Sequence, residues 1–306
     1  MPDNKANPVE SLENLRERVE RFVLAATRRR HSQAQLALAL PPQPDRGNNV
    51  ISPKGAVAEF LGFMSDALPR GDIYLFGGVL RDLALLGRRG FSSDIDLVVE
   101  GDWEHCIPYL QSLEARRNKF GGYRLDIGGW PIDIWNARDT WAIKEGLVAY
   151  TGIASLTKTT VLNWDAILMN WRTRTFVYRD GYLAELKSRL LDIVLEQNPN
   201  PLGMAVRVFR HLSVKDARQV TASAAMYLAN CTARFAFDAI HSKEIRSYGN
   251  AAIELPIYRF FQKIKENEHL EMHARFEKAS ESLKREGIAV PHRQAEWNFG
   301  DVVDNR

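Results

Sequence analysis

Two short stretches decide the fold of this chain: Leu75-Phe76-Gly77-Gly78-Val79-Leu80-Arg81-Asp82 and Ser92-Ser93-Asp94-Ile95-Asp96-Leu97. The first joins an apolar strand to an apolar helix through a pair of glycines. The second predicts a strand in which acidic and apolar residues alternate. Because successive strand residues point to opposite faces, Asp94 and Asp96 lie on one face, while Ile95 and Leu97 pack into the core.

This pair of carboxylates predicts a metal site. Two adjacent negative charges are costly unless a positive charge neutralises them. Mg²⁺ prefers oxygen ligands and is often held by one or two carboxylates together with substrate phosphates. We therefore expect Asp94 and Asp96 to bind Mg²⁺, with Mn²⁺ as a substitute.

A third carboxylate is expected on a neighbouring strand. Strands are predicted near 123–127 and 132–135, joined by a tight turn at Gly128-Gly129. Asp133 is the preferred third metal ligand and catalytic residue, and Asp126 is its competitor. Three carboxylates can hold two Mg²⁺ ions about 3.5–4 Å apart, the arrangement used for in-line phosphoryl displacement.

The glycine pair is the predicted receptor for phosphates. Gly77 and Gly78 have no side chains and stand where a strand gives way to a helix, so backbone N–H groups and the helix dipole favour an anion. Arg81, about one turn into that helix, can add charge-assisted hydrogen bonds to phosphate oxygens. Ser92 or Ser93 can supply a hydroxyl, and Ser93 is the candidate nucleotide-binding residue.

Composition limits the class of protein. The 306 residues are 45% hydrophobic and 26% charged, which is typical of a globular chain of about two domains. Two cysteines cannot build a disulfide framework, and neither a signal peptide nor a run of about 18 apolar residues is visible. We therefore expect a cytoplasmic protein with no membrane partner. The net charge of +3 permits a polyanionic partner without requiring one.

Periodicity divides the chain into three parts. Apolar spacing predicts a helix over 10–38 in an N-terminal extension of residues 1–40, and consecutive prolines make 41–50 a linker. Residues 50–150 alternate short strands and helices, and helices dominate from about residue 155 into the part formed by 151–306. The predicted fold class is α+β, a small mixed sheet with flanking helices followed by a mostly helical C-terminal region.

The two motifs resemble the head domain of bacterial poly(A) polymerases and CCA-adding tRNA nucleotidyltransferases, of the polymerase-beta-type nucleotidyltransferase superfamily. The resemblance rests on Gly77–Asp82 followed by Asp94–Asp96, and it continues less sharply through Val177–Gly181 and Asn200–Arg210. It implies that 50–150 is a nucleotidyltransferase head and 151–306 a neck- or body-like domain. It also implies Mg²⁺-dependent transfer of NMP or dNMP from a nucleoside triphosphate, such as ATP, to a hydroxyl, with release of pyrophosphate.

The acceptor is left open by these residues. Untemplated addition to a nucleic-acid 3′ end, which requires RNA or DNA binding, is the preferred hypothesis. Alternatives are synthesis of a short oligonucleotide or signalling nucleotide, as in relatives that act in phage defence, a non-catalytic nucleotide- or RNA-binding module, and modification of a protein. In the CCA-adding group an acidic residue and an arginine of the neck select the base. Asn198–Met204 lacks that pair in register, so the base preference is also open.

Overall fold

The computed structural model describes residues 8–24, 57–91 and 93–288, with the backbone alone at Arg89. Within this part, the chain divides into two compact units. The first extends to Thr157 and includes Ile167–Tyr178, and the second comprises Lys158–Ala166 and the chain from Arg179 onward. None of the described helices is both long and apolar enough to cross a membrane.

The first unit is built on a seven-stranded mixed sheet. Its strands are β1 (Gly71–Phe76), β2 (Ile95–Gly101), β3 (Arg116–Arg117), β4 (Tyr123–Ile127), β5 (Trp130–Asn136), β6 (Ile167–Asn170) and β7 (Phe176–Tyr178). Their order across the sheet is β3-β4-β5-β2-β1-β6-β7. Strands β2 and β5 are parallel, and the other neighbouring pairs of the described sheet are antiparallel.

Helices cover one face of this sheet. The helices of the first unit are α1 (Leu12–Leu24), α2 (Val57–Asp66), α3 (Gly78–Gly90), α4 (Trp103–Ser112) and the short α5 (Trp141–Lys144), of which α5 lies on the opposite face. Helices α2 and α3 contact β1, and α1 packs on both of them. The register partners Leu75 and Leu97 are fully buried on this side. Burial of such apolar side chains is the main favourable term in folding this unit.

The opposite face of the sheet is covered only in part. Tyr74, Phe76, Val98 and Leu168 form an apolar cluster there with Ala137 and Leu156, and Trp135, Tyr150 and neighbouring side chains pack against it. Two hydrogen bonds hold the covering segment of residues 137–157 in place. Trp135 Nε1 donates to Thr140 Oγ1 over 3.0 Å, and Tyr150 Oη donates to Glu100 Oε1 over 2.6 Å. The acidic residues of β2 and β5 lie beside this cluster, on the same face.

The second unit is mainly helical. It contains α6 (Tyr182–Lys187), α7 (Pro201–Ser213), α8 (Ala222–Arg234), α9 (Phe237–Tyr248), α10 (Leu255–Glu266) and α11 (Met272–Arg285), and the short parallel pair β8 (Leu190–Leu191) and β9 (Gln219–Val220). Helix α7 contacts α8 and α9, and α10 contacts α8 and α11. Asn200 caps α7, because its Oδ1 accepts the N–H of Gly203 over 3.1 Å, and Pro201 stands in the first turn where proline is tolerated.

The α+β fold class predicted from the sequence is confirmed, with the mixed sheet followed by a mostly helical region. The expectation that helices dominate from about residue 155 is wrong for β6 and β7, which pair with the head sheet. Both strands are short, and all four residues of β6 are buried, so they carry no alternation that separates a strand from a helix. The sheet thus extends to Tyr178, and the proposed domain limits stay a prediction.

Three other expectations fall partly or wholly outside the described residues. The helix predicted over 10–38 is seen as α1, Leu12–Leu24, and residues 25–38 lie beyond the described range. The predicted linker of residues 41–50 lies wholly outside it, as does Ser92.

Candidate active site

The glycine pair forms the turn between β1 and α3. Gly77 has φ 61° and ψ −114°, a conformation that favours glycine, and Gly78 begins the helix. The Gly77 N–H donates to the Ile167 carbonyl over 3.0 Å, and its own carbonyl accepts the Arg81 N–H over 3.0 Å. The strand-turn-helix predicted from the sequence is therefore present, with the backbone of the turn tied to β6.

Arg81 and Ser93 converge on Gly78. A Cβ placed on Gly78 would lie 3.5 Å from Arg81 Nη2 and 3.6 Å from Ser93 Oγ. The Ser93 hydroxyl is shielded from solvent and has no hydrogen-bond partner among the described residues. Because a buried polar atom without a partner is costly, it is a candidate for binding a ligand. Arginine, serine and bare backbone together are the groups that bind phosphate oxygens.

The three predicted metal ligands lie on one face of the sheet. Asp96 and Asp133 are register partners on the parallel strands β2 and β5, so their side chains share a face. Asp94 directly precedes β2 and is two residues from Asp96, which places it on that face as well. The side chain of Asp94 is 40% exposed and that of Asp133 is 24% exposed. The carboxylates are thus accessible to a ligand from solvent.

The candidate phosphate cradle, formed by the Gly77-Gly78 turn with Arg81 and Ser93, adjoins the carboxylates. Phe76, the last residue before the glycine turn, is the register partner of Asp96, and Ser93, which lies over Gly78, directly precedes Asp94. The residues that the sequence assigned separately to phosphate and metal binding therefore occupy one continuous region.

Arg124 is a residue that the sequence analysis missed. Its Nη2 lies 2.6 Å from Asp94 Oδ2, and its Nη1 lies 3.2 Å from Asp133 Oδ2. Arg124 is the register partner of Asp133 across the β4–β5 hairpin. A hairpin with a two-residue turn at Gly128-Gly129 pairs the residue four positions before Gly128 with the residue four positions after Gly129, which are Arg124 and Asp133. The sequence therefore already indicated that these two side chains are neighbours.

The pKa values of these groups reflect that contact. Burial raises the pKa of the Asp133 carboxyl, the Arg124 charge lowers it in part, and the negative charge of Asp94 raises it further. Burial lowers the pKa of the Arg124 guanidinium, but the charges of Asp133 and Asp94 outweigh this and leave it raised. Mutual repulsion of the acids is thus part of the electrostatics of the site.

Asp126 has a different environment from Asp133. Its Oδ1 accepts the N–H of Gly129 over 2.9 Å and so holds the β4–β5 turn. Of the two acids considered for the third carboxylate, Asp133 is the one linked to Asp94 through a shared arginine.

The chemistry of the donor set fits a hard divalent cation, since it consists of ionisable carboxylate oxygens on one face. The side chains are not gathered for coordination, however. Within the described ranges, no group of three His, Cys, Asp or Glu side chains is placed to hold a metal ion. Mg²⁺ binding by Asp94, Asp96 and Asp133 therefore stays a prediction.

Comparison by sequence identifies the class of this domain. Residues 57–156 match the family model described as a nucleotidyltransferase domain. This segment contains the glycine turn, Asp94, Asp96 and Asp133, so the resemblance stated from the motifs is confirmed for it. A search of curated proteins by sequence found no significant match.

Comparison by structure finds tRNA-processing enzymes. A CCA-adding enzyme solved with CTP is 16% identical, with TM-score 0.45, and the match covers 76% of this chain and 66% of that one. The Thermotoga maritima CCA-adding enzyme complexed with tRNA is 15% identical, with TM-score 0.46, and the match covers 78% of this chain and 67% of that one. A tRNA nucleotidyltransferase with a primer tRNA and an incoming ATP analogue is 16% identical, with TM-score 0.40 and coverage of 74% and 59%. This chain therefore spans about two thirds of the length of these enzymes or less.

Proposed function

We propose that this protein is a divalent-metal-dependent nucleotidyltransferase. It transfers NMP or dNMP from a nucleoside triphosphate to the 3′-hydroxyl of a nucleic acid without a template, and it releases pyrophosphate. The first unit is the catalytic head, and the helical second unit is the neck- and body-like part.

One observation carries this proposal: the Gly77-Gly78 turn, with Arg81 and Ser93 over it, adjoins the face that bears Asp94, Asp96 and Asp133. Nucleotidyl transfer needs these two features side by side, because the leaving pyrophosphate must be held next to the reacting α-phosphorus. The match of residues 57–156 to the nucleotidyltransferase domain supports the same class of reaction.

Each group has a role in this reaction. Gly78 leaves room for the triphosphate, Arg81 and Ser93 donate hydrogen bonds to its oxygens, and the three aspartates hold the divalent cations. When bound, Mg²⁺ supplies neutralisation of the phosphate charge and polarises the reacting oxygens. Asp133 accepts the proton of the attacking hydroxyl. The hydroxyl oxygen bonds to the α-phosphorus, the bond from that phosphorus to the bridging oxygen breaks, and pyrophosphate leaves with the electron pair.

The experiment uses the full chain with Mg²⁺ or Mn²⁺ and each α-³²P-labelled ribo- or deoxynucleoside triphosphate in turn. Each reaction is run with an RNA oligonucleotide, with a DNA oligonucleotide, and without an acceptor, and products are separated by size. We expect label in a nucleic acid lengthened at its 3′ end, with matching release of pyrophosphate. The Asp96→Asn variant should lose at least about 100-fold in rate, since several kcal/mol of charge stabilisation are removed.

The arms of this experiment separate the remaining functions. Labelled oligomers formed without an acceptor would indicate that the protein synthesises a short oligonucleotide or signalling nucleotide instead of adding nucleotides to a 3′ end. Label on a protein would replace it by protein modification. Absence of both label transfer and pyrophosphate release in every arm would overturn the proposal, as would full activity in Asp96→Asn.

A further inference from the structure

We infer that Arg124 is an internal counter-cation of the carboxylate site, which competes with the divalent cation and must leave Asp94 and Asp133 before that cation binds. The inference rests on the proposed function, because it takes Asp94, Asp96 and Asp133 as the metal ligands.

The first step is geometric. The guanidinium spans two acids, Asp94 just before β2 and Asp133 of β5, with Nη2 at 2.6 Å from Asp94 Oδ2 and Nη1 at 3.2 Å from Asp133 Oδ2. Carboxylate oxygens that share one Mg²⁺ at about 2.1 Å in octahedral geometry lie about 3 Å apart. The guanidinium N–H groups point at these two oxygens and fill the space that an ion shared by Asp94 and Asp133 would have to occupy. The acids therefore cannot close on one ion while Arg124 lies between them, in agreement with the lack of a gathered metal-binding group in the described chain.

The second step is electrostatic. Asp94 and Asp133 each face the charge of the other, and both face Arg124, which also interacts with Asp96. One positive charge against three acids leaves the site negative, so it still attracts a divalent cation. Once such a cation enters, the guanidinium becomes a like charge at close range and is repelled.

The third step is mobility. The Arg124 side chain is 52% exposed, and a solvated ion pair of this kind is weak and breaks readily. Arg81 differs from Arg124 in exposure, because its side chain is buried and paired with Asp82. The chain thus contains one arginine that is built into the site and a second that can be displaced from it.

The test measures Mn²⁺ binding directly, without nucleotide or turnover. Metal-free wild type, Arg124→Gln and Arg117→Gln are titrated with Mn²⁺ at low ionic strength, and free Mn²⁺ is followed by electron paramagnetic resonance. Arg117 is the matched control, because it is an exposed arginine of β3 one residue from Arg116, the register partner of Arg124. Arg117→Gln removes the same net charge from the strand next to β4.

We expect Arg124→Gln to bind Mn²⁺ about tenfold more tightly than wild type, because two weak ion pairs no longer compete. Arg117→Gln should stay within about twofold of wild type, because Arg117 is exposed and forms no ion pair with Asp94 or Asp133 in the described structure. Arg124→Lys, which keeps the charge and loses the two-pronged geometry, should fall between wild type and Arg124→Gln.

The other outcomes are distinct. Equal Mn²⁺ affinity in wild type and Arg124→Gln would overturn the inference and leave the metal-dependent function standing. Weaker binding in Arg124→Gln would also overturn it, because Arg124 would then be organising the carboxylates. Failure of all the proteins to bind Mn²⁺ would overturn the proposed metal site itself and the inference with it.

Discussion

Arg81 Nε donates to Asp82 Oδ1 over 2.8 Å, and the two side chains are only 7% and 0% exposed. Adjacent helical residues point in different directions, so the arginine must bend back to reach its neighbour. This contact anchors one edge of the guanidinium, while its Nη atoms lie 3.5 and 3.9 Å from the position that a Cβ on Gly78 would take. Asp82 therefore acts as a positioning residue for Arg81.

Removal of Asp82 should destabilise the protein. Asp82→Ala leaves the Arg81 guanidinium buried without its ion-pair partner, and we expect the free energy of unfolding to fall by about 3–5 kcal/mol. Urea unfolding followed by circular dichroism measures this. Glu17→Ala is the control, since it breaks the exposed Arg21–Glu17 pair and should change stability by less than about 0.5 kcal/mol. Equal stability of the two variants would contradict the anchoring role of Asp82.

The two glycines of the turn should respond differently to alanine. Gly77 has positive φ, so Gly77→Ala is expected to cost about 1–3 kcal/mol of stability. Gly78→Ala should leave stability unchanged or slightly raised, because the new Cβ makes ordinary van der Waals contacts at 3.5–3.6 Å. That methyl group fills the space between Arg81 and Ser93, where the phosphates are proposed to bind.

Titration with a non-hydrolysable triphosphate analogue measures how the added methyl group of Gly78→Ala changes nucleotide affinity. We expect Gly78→Ala to bind at least about tenfold more weakly than wild type, through loss of a charge-assisted contact. Unchanged affinity in a folded Gly78→Ala protein would place the phosphates elsewhere.

Asp133 should make the stability of the metal-free protein depend on pH. Burial raises the pKa of its carboxyl in the folded state, so the ionised form is less favourable there than in the unfolded chain. The stabilisation associated with protonation is present at low pH and is lost as pH rises through this raised pKa. Asp133→Asn removes the ionisation and is expected to be the more stable protein at neutral pH.

Thermal unfolding of wild type and Asp133→Asn in EDTA, from pH 4 to pH 8, provides the measurement. The melting temperature of the variant should exceed that of wild type at the upper end, and the difference should shrink towards pH 4. A less stable variant at neutral pH would show that the Arg124 contact outweighs the cost of burial, and a difference that is constant with pH would show that folding does not raise the pKa of Asp133.

Glu244 is expected to stabilise the second unit. It is completely buried, forms an ion pair with Arg210 of α7, and accepts the backbone N–H groups of Ala252 at 3.0 Å and Ile253 at 3.2 Å. Glu244→Gln keeps the shape but loses charge-assisted hydrogen bonds, so the free energy of unfolding should fall by about 2 kcal/mol.

The matched control for that variant is Glu281→Gln. It breaks the exposed Arg285–Glu281 pair of α11 and should have almost no effect in the same thermal or urea experiment. If Glu244→Gln and Glu281→Gln lower the free energy of unfolding equally, the buried network does not stabilise the second unit.

Several elements could be predicted because their signals are local. The glycine turn, the alternation in β2, and the β4–β5 hairpin with positive φ at Gly128 and Gly129 all follow from residues close in the chain. The mostly helical character of the C-terminal region follows likewise from apolar spacing. By contrast, β6 is a short and wholly buried run, whose identity as a strand depends on pairing with the distant strand β1.

The amino-acid sequence by itself determined which chemistry this protein carries: adjacent carboxylates on one strand face and a bare-backbone turn followed by an arginine, because both depend on the geometry of neighbouring residues. Tertiary structure decided which distant groups join them. The parallel pairing of β2 with β5 sets Asp133 beside Asp96, and the register of β4 brings Arg124 between Asp94 and Asp133. These contacts depend on strand order and on the packing of the whole sheet, which no single stretch of sequence encodes.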